Sequence, residues 1–107
     1  MEISINVSNK RAALTDSPVI VCGNSDYTVN FNFDSEWDGA EGKTARFVFV
    51  REGTWEHIDV ELSDDVAVVP VLEKIKEVFV GAYAGEELAT TAVSIPCEFS
   101  IRCAANM

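Results

Sequence analysis

Residues 27–39 read YTVNFNFDSEWDG, and this stretch decides the fold class. Apolar and polar residues alternate through its first half with a period of two. The apolar members share one face of an extended chain, and they are Tyr27, Val29, Phe31 and Phe33. The pattern predicts a β-strand with one buried face. The second half gathers carboxylates around a tryptophan before a glycine, which is typical of a turn, a metal loop or the rim of a binding site.

The same alternation recurs along the chain and predicts about eight short strands separated by turn residues. The strand-like segments are residues 2–7, 19–22, 27–34, 44–51, 54–62, 66–72, 76–84, 88–91 and 95–103. Residues 19–22 and 27–34 flank a glycine-containing turn and are predicted to pair as a hairpin. We expect an all-β fold, an antiparallel β-sandwich of the Ig-like or jelly-roll-like kind or a small barrel. We expect one domain over residues 1–107, either complete or the N-terminal part of a longer protein.

Two segments refine this expectation. Residues 44–51 carry apolar side chains on both faces, which indicates a central strand. In residues 66–72, Pro70 requires the edge of a sheet, the end of a strand or a bulge. Residues 71–80 offer a helical alternative, because Leu72, Ile75 and Phe79 have helical spacing; the β-branched residues favour a strand.

The net charge of the chain restricts the partners that it can bind. The 107 residues include 18 acidic and 8 basic side chains, a net charge of −10 without a basic cluster. Nucleic acid and anionic membranes are therefore unfavourable partners. The N-terminus shows no signal peptide, and no apolar run is long enough to span a membrane. We expect synthesis in a cytoplasm with Cys22, Cys97 and Cys103 reduced, serving as small apolar residues.

The acidic residues within 34–39 suggest a metal-binding loop as one hypothesis. Asp34, Glu36, Asp38 and the following glycine imitate the start of a calcium loop. The match fails at its twelfth position, where Ala45 stands in place of a bidentate glutamate. The pattern therefore favours a solvated turn whose tryptophan folds over the end of the sandwich, although a different oxygen cage is conceivable. No cofactor is expected.

The sequence gives little support for catalysis. His57 is the only histidine, and none of the common nucleophile, zinc or phosphate-loop motifs occurs. We expect an exposed strand histidine and no enzymatic activity. Three aromatic residues in or near turns, Trp37, Trp55 and Tyr83, supply an alternative function, because exposed rings on a β-sandwich can stack against sugars of host cell-wall glycans.

A succession of short motifs spans residues 19–103. It comprises a D-x-E-W-D turn at 34–38, K-T-A-R-F at 43–47, V-P-V at 69–71, V-F-V-G-A-Y-A-G at 78–85 and T-T-A-V-S-I-P-C at 90–97. This succession resembles the small β-rich domain that opens tail, baseplate or fibre-associated proteins of phages and prophages of Gram-positive gut bacteria. The resemblance implies a non-enzymatic structural or adaptor domain of the virion, made in the host cytoplasm. The implied partners are other virion proteins, including further copies in a homo-oligomer.

Overall fold

The fold is seen in a computed structural model that describes residues 1–101. The strands in chain order are β1 (Glu2–Ser8), β2 (Arg11–Leu14), β3 (Ile20–Cys22), β4 (Thr28–Phe33), β5 (Thr44–Arg51), β6 (Thr54–Glu61), β7 (Val66–Val68), β8 (Glu77–Ala84), β9 (Leu88–Ala89) and β10 (Val93–Phe99). A turn of 3-10 helix, Ser35–Trp37, follows β4. The final predicted strand, 95–103, is observed as β10, and Cys103 lies outside the described residues.

The strands form two mixed sheets. The small sheet has the order β2-β1-β4-β7, and the large sheet has the order β3-β10-β8-β5-β6 with β9 added beside β8. The predicted β-sandwich is confirmed. The pairing is not antiparallel throughout, because β1 runs parallel to β4 and β10 runs parallel to β3. Parallel neighbours need a long connection, and it is supplied by β2 and β3 in the first pair and by β4 to β9 in the second.

One hydrophobic core fills the space between the sheets. Burial alternates along the long strands, as the period of two predicts. The side chains that meet in the core include Ile3, Ile5, Val29 and Phe31 from the small sheet and Phe47, Phe49, Val78, Val80 and Ile95 from the large one. The central position predicted for residues 44–51 is confirmed, since β5 lies between β8 and β6.

Strand β2 was not predicted from the sequence. It pairs with β1 across a tight turn in which Asn9 and Lys10 have φ values of 52° and 64°. Two successive positive φ angles define the type I′ turn that matches the twist of a hairpin. The usual signal for this turn is Asn-Gly, and lysine in the second position concealed it. The short strand itself carries two alanines, which are poor strand formers.

The predicted hairpin of residues 19–22 with 27–34 is wrong. Strand β3 belongs to the large sheet, whereas β4 belongs to the small one. The connection includes Gly23 at φ 84° and Asp26 at φ 72°, and it carries the chain from one layer to the other. Tyr27 ties the two ends together, because its hydroxyl oxygen accepts a hydrogen bond from Val21 N at 3.0 Å.

Residues 69–76 form an irregular segment between β7 and β8, and the helical alternative for residues 71–80 is wrong. The segment still contributes to the core, since Leu72 and Ile75 are both buried. Strand β7 is an edge strand that ends before Pro70, as the missing N–H of proline requires. Within residues 1–101 the structure contains no helix with the length and apolar character needed to cross a membrane.

Candidate functional site

The acidic loop is occupied by contacts within the fold. Asn9 N donates a hydrogen bond of 2.9 Å to Asp34 Oδ2, and Lys10 Nζ donates to Glu36 Oε2. Both donors belong to the left-handed turn between β1 and β2. The two carboxylates therefore hold that turn in place. Among residues 1–101, no group of three or more His, Cys, Asp or Glu side chains is arranged to hold a metal ion, and this includes the loop of Asp34, Glu36 and Asp38.

Trp37 lies in the core. Its side chain is 1% exposed, and its ring stacks on Phe33 with centroids 4.5 Å apart. Lys43 Nζ lies 4.9 Å from the centroid of the same phenylalanine ring. The sequence predicted a solvated turn with the tryptophan folded over the end of the sandwich. The indole ring is instead buried in the core, where it stacks on Phe33. Trp37 therefore cannot contribute to an exposed sugar platform.

The outer face of the large sheet carries the aromatic side chains that remain accessible. Strand alternation places Phe79, Gly81 and Tyr83 of β8 on this face. On β6 it places Trp55 there, with 64% of the side chain exposed. The rings of Trp55 and Phe79 pack against each other at a centroid distance of 6.1 Å. An aromatic stripe thus crosses the face, interrupted only by the glycine of β8.

The polar centre of this face is an ion pair braced by a tyrosine. Arg46 Nε and Nη2 donate to the two carboxylate oxygens of Asp59 at 2.8 and 2.9 Å. Tyr83 Oη donates to Asp59 Oδ2 at 2.9 Å. The guanidinium carbon also lies 5.1 Å from the centroid of the Tyr83 ring. The three side chains come from β5, β6 and β8 and hold each other in one geometry.

These contacts shift the proton affinities of both charged groups. Hydrogen bonds from Arg46 lower the pKa of Asp59, and the Tyr83 hydroxyl lowers it further against the opposing effect of desolvation. The hydrogen bonds to Asp59 raise the pKa of Arg46. Both side chains are therefore charged at neutral pH. A fixed ion pair on a partly exposed face adds little to stability.

A pocket of about 380 Å³ opens beside this ion pair. Phe79 and Tyr83 flank it, Gly81 lies between them, and Arg46 and Val48 line the side formed by β5. The opposite wall is the segment that leads from β9 to β10, including Thr90 and Ala92. The volume falls at the lower end of the range for small-molecule sites, which suits a ligand of a few rings at most.

The wall of the pocket is fixed by hydrogen bonds at Thr90. Its backbone N–H donates to Ala82 O at 2.9 Å, and its hydroxyl oxygen accepts from Ala82 N at 3.0 Å. Gly81 permits this close approach, since a Cβ there would lie 3.0 Å from Thr90 Oγ1 and 3.1 Å from Thr91 O. The wall therefore stands in place without a ligand.

Within residues 1–101, His57 and the two cysteines do not converge on a catalytic arrangement. His57 is exposed on β6, opposite Val48 of β5. Cys97 is buried on β10, and three strand spacings of about 4.8 Å separate these strands. Burial raises the pKa of the Cys97 thiol to about 12, and the neighbouring Cys22 thiol adds to the effect. A thiol with this pKa is a poor nucleophile at neutral pH.

Of the three aromatic residues singled out in the sequence, Trp55 and Tyr83 share a face and Trp37 does not. Trp55 is paired with Val50 and Tyr83 with Thr44, so about 20 Å of strand separates them. They do not form one flat platform. Phe79, which the sequence analysis did not select, lies between them. The sequence signal that could have identified Phe79 is its alternation with the buried residues of β8.

Comparison with protein-family models gives no match for this chain, and comparison with curated proteins gives none either.

Proposed function

We propose that this chain is a non-enzymatic structural or adaptor domain of a phage or prophage particle, in its tail or baseplate. In this proposal it joins further copies of itself, and neighbouring virion proteins, through the free edge of β6. The motif succession at residues 34–38, 43–47, 69–71, 78–85 and 90–97 supports the particle assignment by resemblance. The observation that carries the assembly role is the unpaired edge of β6.

Strand β6 is the longest edge in the sandwich. It has 8 residues and one strand neighbour, β5. The other edge strands are β2, β3, β7 and β9, with 4, 3, 3 and 2 residues. A long edge presents a row of backbone donors and acceptors that another strand can pair with. Monomeric proteins usually shorten or cover such an edge.

The free hydrogen-bonding groups of β6 can be assigned from its hairpin. The turn residues Glu52 and Gly53 have φ values of 51° and 77°, so the flanking pair Arg51 and Thr54 exchanges hydrogen bonds. Hydrogen-bonded pairs then recur at every second residue. The hydrogen bond of 2.9 Å from Leu62 N to Lys43 O agrees with this spacing, because Leu62 is eight residues after Thr54. The outward N–H and C=O groups therefore belong to the odd-numbered residues, Trp55, His57, Asp59 and Glu61.

The opposite side of the sandwich is closed. Thr91 N donates to Lys10 O at 2.9 Å, and Ala12 N donates to Thr91 Oγ1 at 3.0 Å. These bonds link the edge strand of the small sheet to the segment before β10. On the β6 side, the link seen among the described residues is an ion pair beyond the end of the strand, Lys43 Nζ with Asp65 Oδ1 at 2.7 Å. This side also exposes Trp55 and Ile58, the latter by 37%. The asymmetry favours the β6 side as the assembly edge.

A proline substitution tests this proposal. His57→Pro removes an outward N–H while leaving the bonds between β5 and β6 intact, and His57→Ala is the matched control. We expect the wild type and His57→Ala to form a homo-oligomer in sedimentation or light-scattering measurements, and His57→Pro to be a folded monomer. Because every copy carries a charge of −10, added salt should strengthen self-association.

Two results would contradict the assembly role. A wild-type monomer at about millimolar concentration and high salt would show that β6 does not join copies, since specific interfaces form well below that concentration. An oligomer that persists unchanged in His57→Pro would place the interface elsewhere. The melting temperature of the proline variant separates loss of pairing from loss of fold.

A further inference from the structure

The pocket between Phe79 and Tyr83 has features that the assembly role leaves unused. Its ring-bearing side chains stand two residues on either side of Gly81 on the same face of β8. At about 3.3 Å per residue, their Cα atoms are roughly 13 Å apart. Residues 90–92 take up part of the space over Gly81, and the pocket lies beside them, toward Arg46 and Val48 of β5. The wall at Thr90 is already fixed by its bonds to Ala82. A site of this kind binds without first ordering its walls.

The walls of the pocket present aromatic and aliphatic surface. Phe79 and Tyr83 are half-buried, so each ring leaves part of its surface accessible. Val48, Gly81 and Ala92 add small apolar surfaces. A pyranose ring has an apolar face of C–H groups that packs on aromatic rings, and a rim of hydroxyl groups that needs polar partners. The pocket offers the first of these, and the ion pair at its edge offers the second.

The polar groups at the edge are partly free for a ligand. Arg46 donates to Asp59 through Nε and through one hydrogen of Nη2. A guanidinium has five N–H donors, so three of them are not used by Asp59. Asp59 already accepts three hydrogen bonds, from Arg46 twice and from Tyr83 once. The site therefore presents fixed donors and few free acceptors. Hydroxyl and carbonyl oxygens of a sugar match such donors.

Charge selects among sugars. The carboxylate of Asp59 neutralises Arg46, and the chain as a whole carries −10. An anionic sugar would gain no net attraction from the ion pair and would meet a repulsive field. We propose that this pocket binds one uncharged pyranose ring of a glycan, packed against Phe79 and Tyr83 on the β5 side of Gly81 and oriented by Arg46. The site meets the β6 edge proposed for assembly at one residue, Asp59, whose side chain holds Arg46 while its backbone faces outward.

Titration followed by ¹H–¹⁵N NMR tests the proposal. The probes are N-acetylglucosamine, methyl β-glucopyranoside and their β-linked trimers, with glucuronic acid as the anionic comparison. We expect the neutral probes to shift the amides of Phe79, Gly81, Tyr83 and Thr90 with millimolar affinity, and glucuronic acid to leave them unshifted. Phe79→Ala and Arg46→Gln should each weaken binding by about fivefold or more. Val68→Ala, an exposed change on the small sheet, should have no effect.

Three results would overturn the proposal. The first is the absence of shifts at these amides with every neutral probe up to about 50 mM, a range that covers the weak affinity of single sugars. The second is an affinity that Phe79→Ala and Arg46→Gln leave unchanged. The third is a set of shifts that follows protein concentration alone, which would make the pocket a contact between copies. Should Phe79→Ala lose the folded spectrum, Phe79→Leu replaces it, because it keeps apolar volume and removes the ring.

Discussion

The irregular segment between β7 and β8 allows a sharp test of the sandwich core. Two neighbours in it differ in burial, since Leu72 is 1% exposed and Val71 is 52% exposed. Gly23, which directly follows β3 of the large sheet, donates its N–H to Leu72 O at 2.8 Å. This hydrogen bond ties the backbone of the segment to the end of β3. Truncating each of the two side chains to alanine therefore separates core packing from any effect on the loop itself.

Leu72→Ala should lower the free energy of unfolding by about 3 kcal/mol. Loss of the buried carbon atoms contributes roughly 2 kcal/mol, and the cavity left in a close-packed core adds the remainder. For a domain of this size the loss corresponds to a decrease in Tm of roughly 12 °C or more. Val71→Ala should change stability by no more than about 0.5 kcal/mol, because its side chain already contacts water.

Urea unfolding followed by tryptophan fluorescence measures both variants. Trp37 is buried and Trp55 is exposed, so most of the change in emission on unfolding should come from Trp37. The denaturant dependence m should stay constant across the series, which shows that the same surface is exposed on unfolding. A loss below about 1 kcal/mol for Leu72→Ala, or an equal loss for Val71→Ala, would refute the placement of this segment in the core.

Three further predictions concern carboxylates. The pKa of Asp59 is lowered from its ordinary value of 3.8, so its stabilising contribution is complete above that value and is lost as pH falls through the folded-state pKa. Wild type should exceed Asp59→Asn in stability by less than about 1 kcal/mol at neutral pH and lose this advantage as the pH falls below the ordinary pKa of an aspartate; an undiminished advantage in acid would contradict the ion pair. Asp34→Ala should cost about 1–2 kcal/mol, because Asn9 N loses a charged acceptor, whereas the exposed Asp38→Ala should cost no more than about 0.5 kcal/mol. Millimolar calcium should leave the wild-type Tm unchanged, and a calcium-dependent rise in Tm that Asp34→Ala abolishes would restore the metal hypothesis.

The strands were predictable because local alternation records which face of a strand meets the core. Strand β5 begins and ends at the residues expected from the sequence, Thr44 and Arg51, and β6 differs by one residue at its end. Local alternation does not predict which strands pair with each other. The parallel pairing of β1 with β4 joins residues that are far apart in sequence, and period-two patterning is identical for parallel and antiparallel neighbours.

The candidate site was predictable in part for the same reason. Alternation along β8 places Phe79 and Tyr83 on the face opposite the core, so their common side followed from the sequence. The ion pair of Arg46 with Asp59 required the register between β5 and β6, which the two-residue turn at Glu52 sets. Trp37 was misplaced because its burial depends on stacking against Phe33, a contact that depends on how the chain turns after β4.

Two carboxylates of this acid-rich chain are engaged by donors from the protein itself. A carboxylate acts on a ligand only when donors from the protein leave its oxygens free. Asp34 accepts from the backbone of a left-handed turn, and Asp59 accepts three bonds from Arg46 and Tyr83. The two proposed sites therefore use the rings beside Gly81, the N–H groups of Arg46 that Asp59 does not occupy, and the outward backbone of β6. These contacts are themselves less sensitive to salt than ion pairs, so salt should act mainly by screening the repulsion between copies that each carry a charge of −10.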